Sequence, residues 1–100
     1  MPRRRVTTEP QLVGPVLQAS ELGLAVLAAL RELNPGVQVL DRGAYVRVGT
    51  RSPCVLTRAA VERITGQLFE LPGDLEQVMP SFQGFLSFSA DRVEWRLERA

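Results

Sequence analysis

Enzyme chemistry needs side chains that exchange protons, attack or hold a metal, and this chain has few of them. Its 100 residues include no histidine and a single cysteine, Cys54. Without histidine the commonest general base and the commonest neutral metal ligand are both missing. Serine-histidine and cysteine-histidine nucleophiles are excluded with them. One cysteine permits no intrachain disulfide and no cysteine pair around a metal. Cys54 sits in "PCVLT", followed by Val55 and Leu56, where a small buried residue is expected, so it reads as core filling rather than as a reactive thiol. The acids Asp74 with Glu76, and Asp41 with Glu32, lack the alternating spacing of a calcium loop or a glycine-rich phosphate loop beside them. Acids at a helix start serve the helix dipole. The inventory predicts no metal, no cofactor and a binding function.

Charge narrows the partner. Every one of the 12 cationic side chains is arginine, which reflects either base composition of the gene or the suitability of planar guanidinium groups for interfaces. The net charge of +1 includes Arg3, Arg4 and Arg5; without those three the remainder stands at −2. A mildly acidic body is a poor footing for nucleic-acid binding, so no nucleic-acid partner is expected. The alternative is a small adaptor or nucleic-acid-binding module that uses the Arg3 to Arg5 arm with Tyr45 and Phe82 as stacking groups. No run of about 18 apolar residues is present and no apolar stretch follows the basic start, so neither a membrane span nor a signal peptide is expected and the location reads as cytoplasmic.

The elements that would position a binding surface follow from periodicity. Residues 1–10 are polar and proline-flanked and read as a flexible arm; residues 11–100 read as one domain. Residues 12–18 form an apolar strand that Pro15 demotes to an edge or bulged strand. Ser20 caps a helix from Glu21 to Leu33 whose stripe is Leu22, Ala25, Val26, Ala29, Leu30 and Leu33, leaving Leu24 and Leu27 outward and in need of a cover. "VQVLD" and "AYVRV" form a hairpin across Asp41-Arg42-Gly43, with Tyr45 and Arg47 facing away from Val46 and Val48. "PCVLT" is a further strand, Thr57 caps a helix from Arg58 to Thr65 that ends at Gly66, and Asp74 with Gln77 predicts a capping box for a short helix through Met79. "GFLSF" and "RVEWRL" form a last hairpin with Val93, Trp95 and Leu97 inward. The order β-α-β-β-β-α-α-β-β predicts an α+β fold, mostly antiparallel sheet covered by two to three helices.

The turn Asn34-Pro35-Gly36 combines a preset φ with a glycine free to take φ > 0, which marks a built feature of the chain. Taken with "VGPVLQASEL", "DRGAYVRV", "CVLTRAAVERITGQLFE" and "LEQVMPSFQGFL", it closely resembles the effector, or regulatory, proteins of bacterial multicomponent monooxygenases of the toluene, benzene and alkene type. The resemblance runs from about Val13 to the last strand. It implies a non-catalytic, cofactor-free domain that docks on a di-iron hydroxylase and modulates O₂ activation, substrate turnover and coupling in aromatic hydrocarbon catabolism. It also implies a ferredoxin or reductase as a competing partner. The expected partner-binding residues are Asn34, Pro35, Gly36, Arg42, Tyr45, Arg47, Ser81, Phe82, Gln83 and Gly84, Gly84 also serving backbone shape. The other reading of Asn34-Pro35-Gly36 is that it merely closes the helix onto the sheet.

Overall fold

The computed structural model describes residues 11–98, and the arm expected over residues 1–10 lies outside them. In chain order the elements are β1 (Gly14–Gln18), α1 (Glu21–Leu33), β2 (Gln38–Asp41), β3 (Tyr45–Gly49), β4 (Cys54–Thr57), α2 (Arg58–Thr65), α3 (Gly73–Val78), β5 (Ser81–Gln83), β6 (Phe85–Phe88) and β7 (Arg92–Arg96). The α+β class and the expected order hold, with one three-residue strand, β5, added ahead of the final hairpin. The strands form two antiparallel sheets, β2-β3-β1-β5 and β4-β7-β6.

Pro15 does not put β1 at an edge: β1 pairs with β3 on one side and β5 on the other. The cost falls on the β3 side. The β1–β3 ladder runs over Val16, Leu17 and Gln18, lapses where proline has no N–H to donate, and returns as a single bridge between Val13 and Thr50. The chain passes from the first sheet to the second at Gly84, whose φ is +106°. An added Cβ there would lie 2.8 Å from the Arg96 carbonyl oxygen and 2.9 Å from Val13 Cγ1, so glycine is required for the crossing.

Helix α1 starts where Ser20 Oγ accepts from the Gly23 N–H at 3.1 Å. A Cβ at Gly23 would sit 1.8 Å from the Gln18 carbonyl oxygen, so this glycine lets the helix fold back hard against β1. The helix touches β1, β4 and α2. That three-sided enclosure explains why Leu27, expected outward, is buried, while Leu24 stays 45% exposed. Helix α2 is capped as expected: Thr57 Oγ1 accepts from the Ala60 N–H, and Gly66 closes it with φ of +72°. The capping box at α3 does not form. Asp74 Oδ2 instead accepts from the Glu70 N–H at 2.8 Å, bracing the loop that precedes the helix. Leu97, expected inward, is 40% exposed because it lies past the end of β7.

The core contains Leu17, Leu30, Leu56, Phe69, Leu75 and Trp95, each almost fully buried. One polar side chain joins it. Asn34 is buried at the C-terminal cap of α1, where Nδ2 donates to the carbonyls of Leu30 and Val55 at 2.9 and 2.8 Å, and Oδ1 accepts from the Val55 N–H at 2.9 Å. Both backbone groups of a residue on edge strand β4 are thus satisfied by one amide. Asn34→Ala leaves those groups unpaired in a partly buried place and should lower stability by about 2–3 kcal/mol, whereas Pro35→Ala at the exposed next position should stay within about 0.5 kcal/mol. Urea unfolding of both variants checks this; equal midpoints would show that the amide contributes nothing.

Candidate docking face

Strand alternation and register decide which side chains share a face. In the four-stranded sheet Val16 lies opposite both Arg47 and Ser81, and Arg47 lies opposite Leu40. Leu40, Arg47, Val16 and Ser81 therefore form one row across all four strands. Tyr45, opposite Gln18, extends the same face on one side, and Gln83, opposite Gly14, extends it on the other. The reverse face carries Leu17, Val46 and Val48, all buried in the core. Tyr45 and Leu40 are left 44% and 46% exposed, so this face presents two large side chains to solvent.

The face is uneven. An open depression of about 310 Å³ is bounded by Val16, Arg42, Tyr45, Arg47, Pro80 and Ser81. A second, of about 300 Å³, takes in Leu40, Arg47 and Gln83. Arg47 borders both. Its charge and that of Arg42 meet no carboxylate among the described residues. By contrast Arg92 and Arg96 both grip Glu94, Arg58 pairs with Glu62 and Asp91, and Arg63 pairs with Glu32. Hydrogen bonds from Arg96 and Arg92 hold the Glu94 carboxyl below its ordinary range, and the one from Arg63 does the same to Glu32. The cations of the sheet face thus remain available to an outside anion.

Of the residues expected to bind a partner, the fold gathers Arg42, Tyr45, Arg47, Ser81 and Gln83 on this face. It separates the rest. Asn34 is drawn inside and its amide is fully engaged, so it closes the helix onto β4 instead of meeting a partner. Pro35 and Gly36 are exposed on the turn that follows α1 and belong to no strand of the sheet. Phe82 lies opposite Pro15, whose ring is buried, and so points to the other side of the sheet from Tyr45, 41% exposed on the edge strand. Gly84 is the crossing between sheets. Val16, Leu40 and Gln18 were not singled out from sequence; for Leu40 the alternation in "VQVLD", with Val37 and Val39 on the other side, carried the signal.

The reactive groups offer no competing site. Burial pushes the Cys54 thiol up to about 12, so it stays protonated at any physiological pH. Among the described residues no group of three or more histidine, cysteine, aspartate or glutamate side chains could hold a metal, and no helix is long and apolar enough to cross a membrane.

An α+β domain with no metal-ligating or nucleophilic cluster among its described residues, and with two unpaired arginines and a tyrosine on one open sheet face, is a binding domain. The chain belongs to the MmoB/DmpM family, whose family model matches residues 11–96. It is 43% identical over 89 residues to the effector subunit of the alkene monooxygenase system of Xanthobacter autotrophicus (strain ATCC BAA-1158 / Py2), covering 87% of each chain. Its fold matches a chain of the solved phenol hydroxylase–regulatory protein complex with a TM-score of 0.79 at 21% identity, covering 86% of this chain and 98% of that one. In a second structure of such a complex the values are 0.73 and 24%, covering 85% of this chain and 100% of that one.

The thiol provides a direct test of this arrangement. In the folded protein Cys54 should react with an alkylating reagent at pH 8 roughly a thousandfold more slowly than in the urea-unfolded chain, from the loss of thiolate alone. Comparable rates in the two states would place Cys54 at the surface.

Proposed function

We propose that this chain is the effector subunit of a multicomponent monooxygenase, and that it docks on the di-iron hydroxylase component through the outer face of the β2-β3-β1-β5 sheet. The likeness to the alkene monooxygenase effector supports the class. The observation that carries the face is the gathering of Arg42, Tyr45 and Arg47 around one open depression with both arginines unpaired. Tyrosine and arginine are the side chains that dominate binding energy at protein interfaces.

The effector contributes no catalytic group. It acts by binding some states of the hydroxylase, including the transition states of O₂ activation and substrate oxidation, more tightly than others. A hundredfold change in turnover needs about 2.7 kcal/mol of such preference. A few well-packed side chains supply that. Residues 11–100 act as one docking domain in the cytoplasm, and a ferredoxin or reductase competes for the same hydroxylase surface because electrons must be delivered close to where the effector sits.

Tyr45→Ala removes the aromatic beside both arginines and should cost about 2 kcal/mol of docking energy, raising the effector concentration for half-maximal turnover by roughly thirtyfold. Phe82→Ala, on the other side of the sheet edge, should have a smaller effect, and Glu98→Ala should have almost none. Titrating each folded variant into the reconstituted monooxygenase while following product and reductant consumption decides the matter. Equal effects at Tyr45 and Glu98 would remove this face from the docking surface.

A further inference from the structure

The outer side of α1 carries a stripe that the fold leaves partly open. At 100° per residue Glu21, Leu24, Ala28 and Arg31 fall in one arc, away from Val26, Ala29 and Leu30 in the core. Their spacing of three, four and three is that of a helix-pairing seam. Leu24 is 45% exposed, and the neighbouring Ala28 is small and partly exposed. Glu21, Leu24 and Ala28 also form one wall of an open groove of about 470 Å³ between α1 and the end of α2, which reaches Ile64 and Gln67. Leu68, the next residue after Gln67, is 83% exposed, the most exposed large apolar side chain among the described residues. Glu21 and Arg31 form no ion pair among the described residues. Ten residues apart on one helix, they stand about 15 Å from each other and cannot meet.

We propose that this face pairs with the same face of a second copy of the chain, the two α1 helices running antiparallel about a two-fold axis at the height of Val26. That axis seats Leu24 of each copy on Ala28 of the other. It also brings Glu21 of each copy to Arg31 of the other. Charge identifies the occupant: a stripe with an acid at one end, a base at the other and an apolar middle is complementary to its own antiparallel image. A two-fold interface requires that self-complementarity. The small side chain of Ala28 lets the helix axes approach to about 8 Å, and antiparallel helix dipoles attract. The helix has 13 residues, so the buried area falls below the roughly 800 Å² per partner of a standard interface. The dimer is accordingly weak, with a dissociation constant of about 0.1 mM. The stripe and the sheet face share no residue, so this inference does not depend on the docking reading.

Sedimentation equilibrium of the full chain at low salt, from about 10 μM to about 1 mM, tests it. The unaltered protein should show a reversible monomer–dimer equilibrium. Leu24→Asp and Ala28→Arg, both at solvent-facing positions, should be monomeric throughout, with circular dichroism confirming that they fold. Glu21→Arg and Arg31→Glu should each weaken the dimer by about fivefold or more. The double variant Glu21→Arg with Arg31→Glu should return to within about twofold of the original, because the two-fold axis restores both pairs. Such recovery separates a second copy from any other occupant of the stripe. A chain that stays monomeric at about 1 mM, a dimer indifferent to Leu24→Asp, or a double variant no better than the singles overturns the proposal.

Discussion

A single carboxamide ties the helix that both sheets share to the second of them. Strand β4 is an edge, and an edge strand has backbone groups with no neighbour to meet. Asn34 supplies that neighbour by giving Val55 both a donor and an acceptor, much as another strand would. Because Asn34 is also the C-cap of α1, the helix end and the strand move as one body. At the other end, Ser20 and the missing Cβ of Gly23 press the helix start against β1. Helix α1 is therefore clamped to one sheet at its N-terminus and to the other at its C-terminus, and the outer face of the first sheet inherits a fixed orientation.

Electrostatics then sorts the surface. Glu94 is claimed by two arginines of its own strand, Glu32 by Arg63, and Arg58 is shared between Glu62 and Asp91. Exposed pairs of this kind add little stability. Their effect is to leave Arg42 and Arg47 as cations without an internal partner on the same sheet face as Tyr45. An approaching protein finds there a charge it does not have to strip from an existing contact, next to an aromatic ring with few rotamers to freeze. Preorganisation of that sort lowers the entropic cost of docking. A protein with no chemistry of its own can influence a partner only through such differences in binding.

What the sequence made legible was local. The bounds of α1 and α2 could be read because their caps, stripes and stop signals lie within a few residues of one another: Ser20 before one helix, Thr57 and Gly66 around the other. The exposed positions of Tyr45 and Arg47 followed from alternation alone. What could not be read was pairing across the chain. The split into two sheets depends on Gly84, and on β5 meeting β1 some 65 positions away in sequence, as in the pair Val16 and Ser81. Pro15 looked like an edge marker because its neighbour β3 tolerates a lapse that only the register reveals. Phe82 and Tyr45 seemed to belong together because both are exposed aromatics, yet the parity of their registers places them on opposite sides of one sheet. Asn34 was read as surface because turns usually are. Nothing nearby shows that Val55, 21 residues later, needs both ends of its amide.

The lone tryptophan has a spectroscopic consequence. Trp95 is fully buried on the inner side of the second sheet, opposite Cys54 on β4 and Leu86 on β6, and its indole N–H meets no acceptor among the described residues. An indole in so dry a place emits at short wavelength and moves to the red only when water reaches it. Its emission is therefore a gauge of the integrity of the β4-β7-β6 core. The exposed ring on the outer face of the other sheet is a tyrosine, so if the proposed face docks, a mixture excited above the tyrosine absorption band would show this chain as a steady background and any spectral change on mixing would originate in the partner.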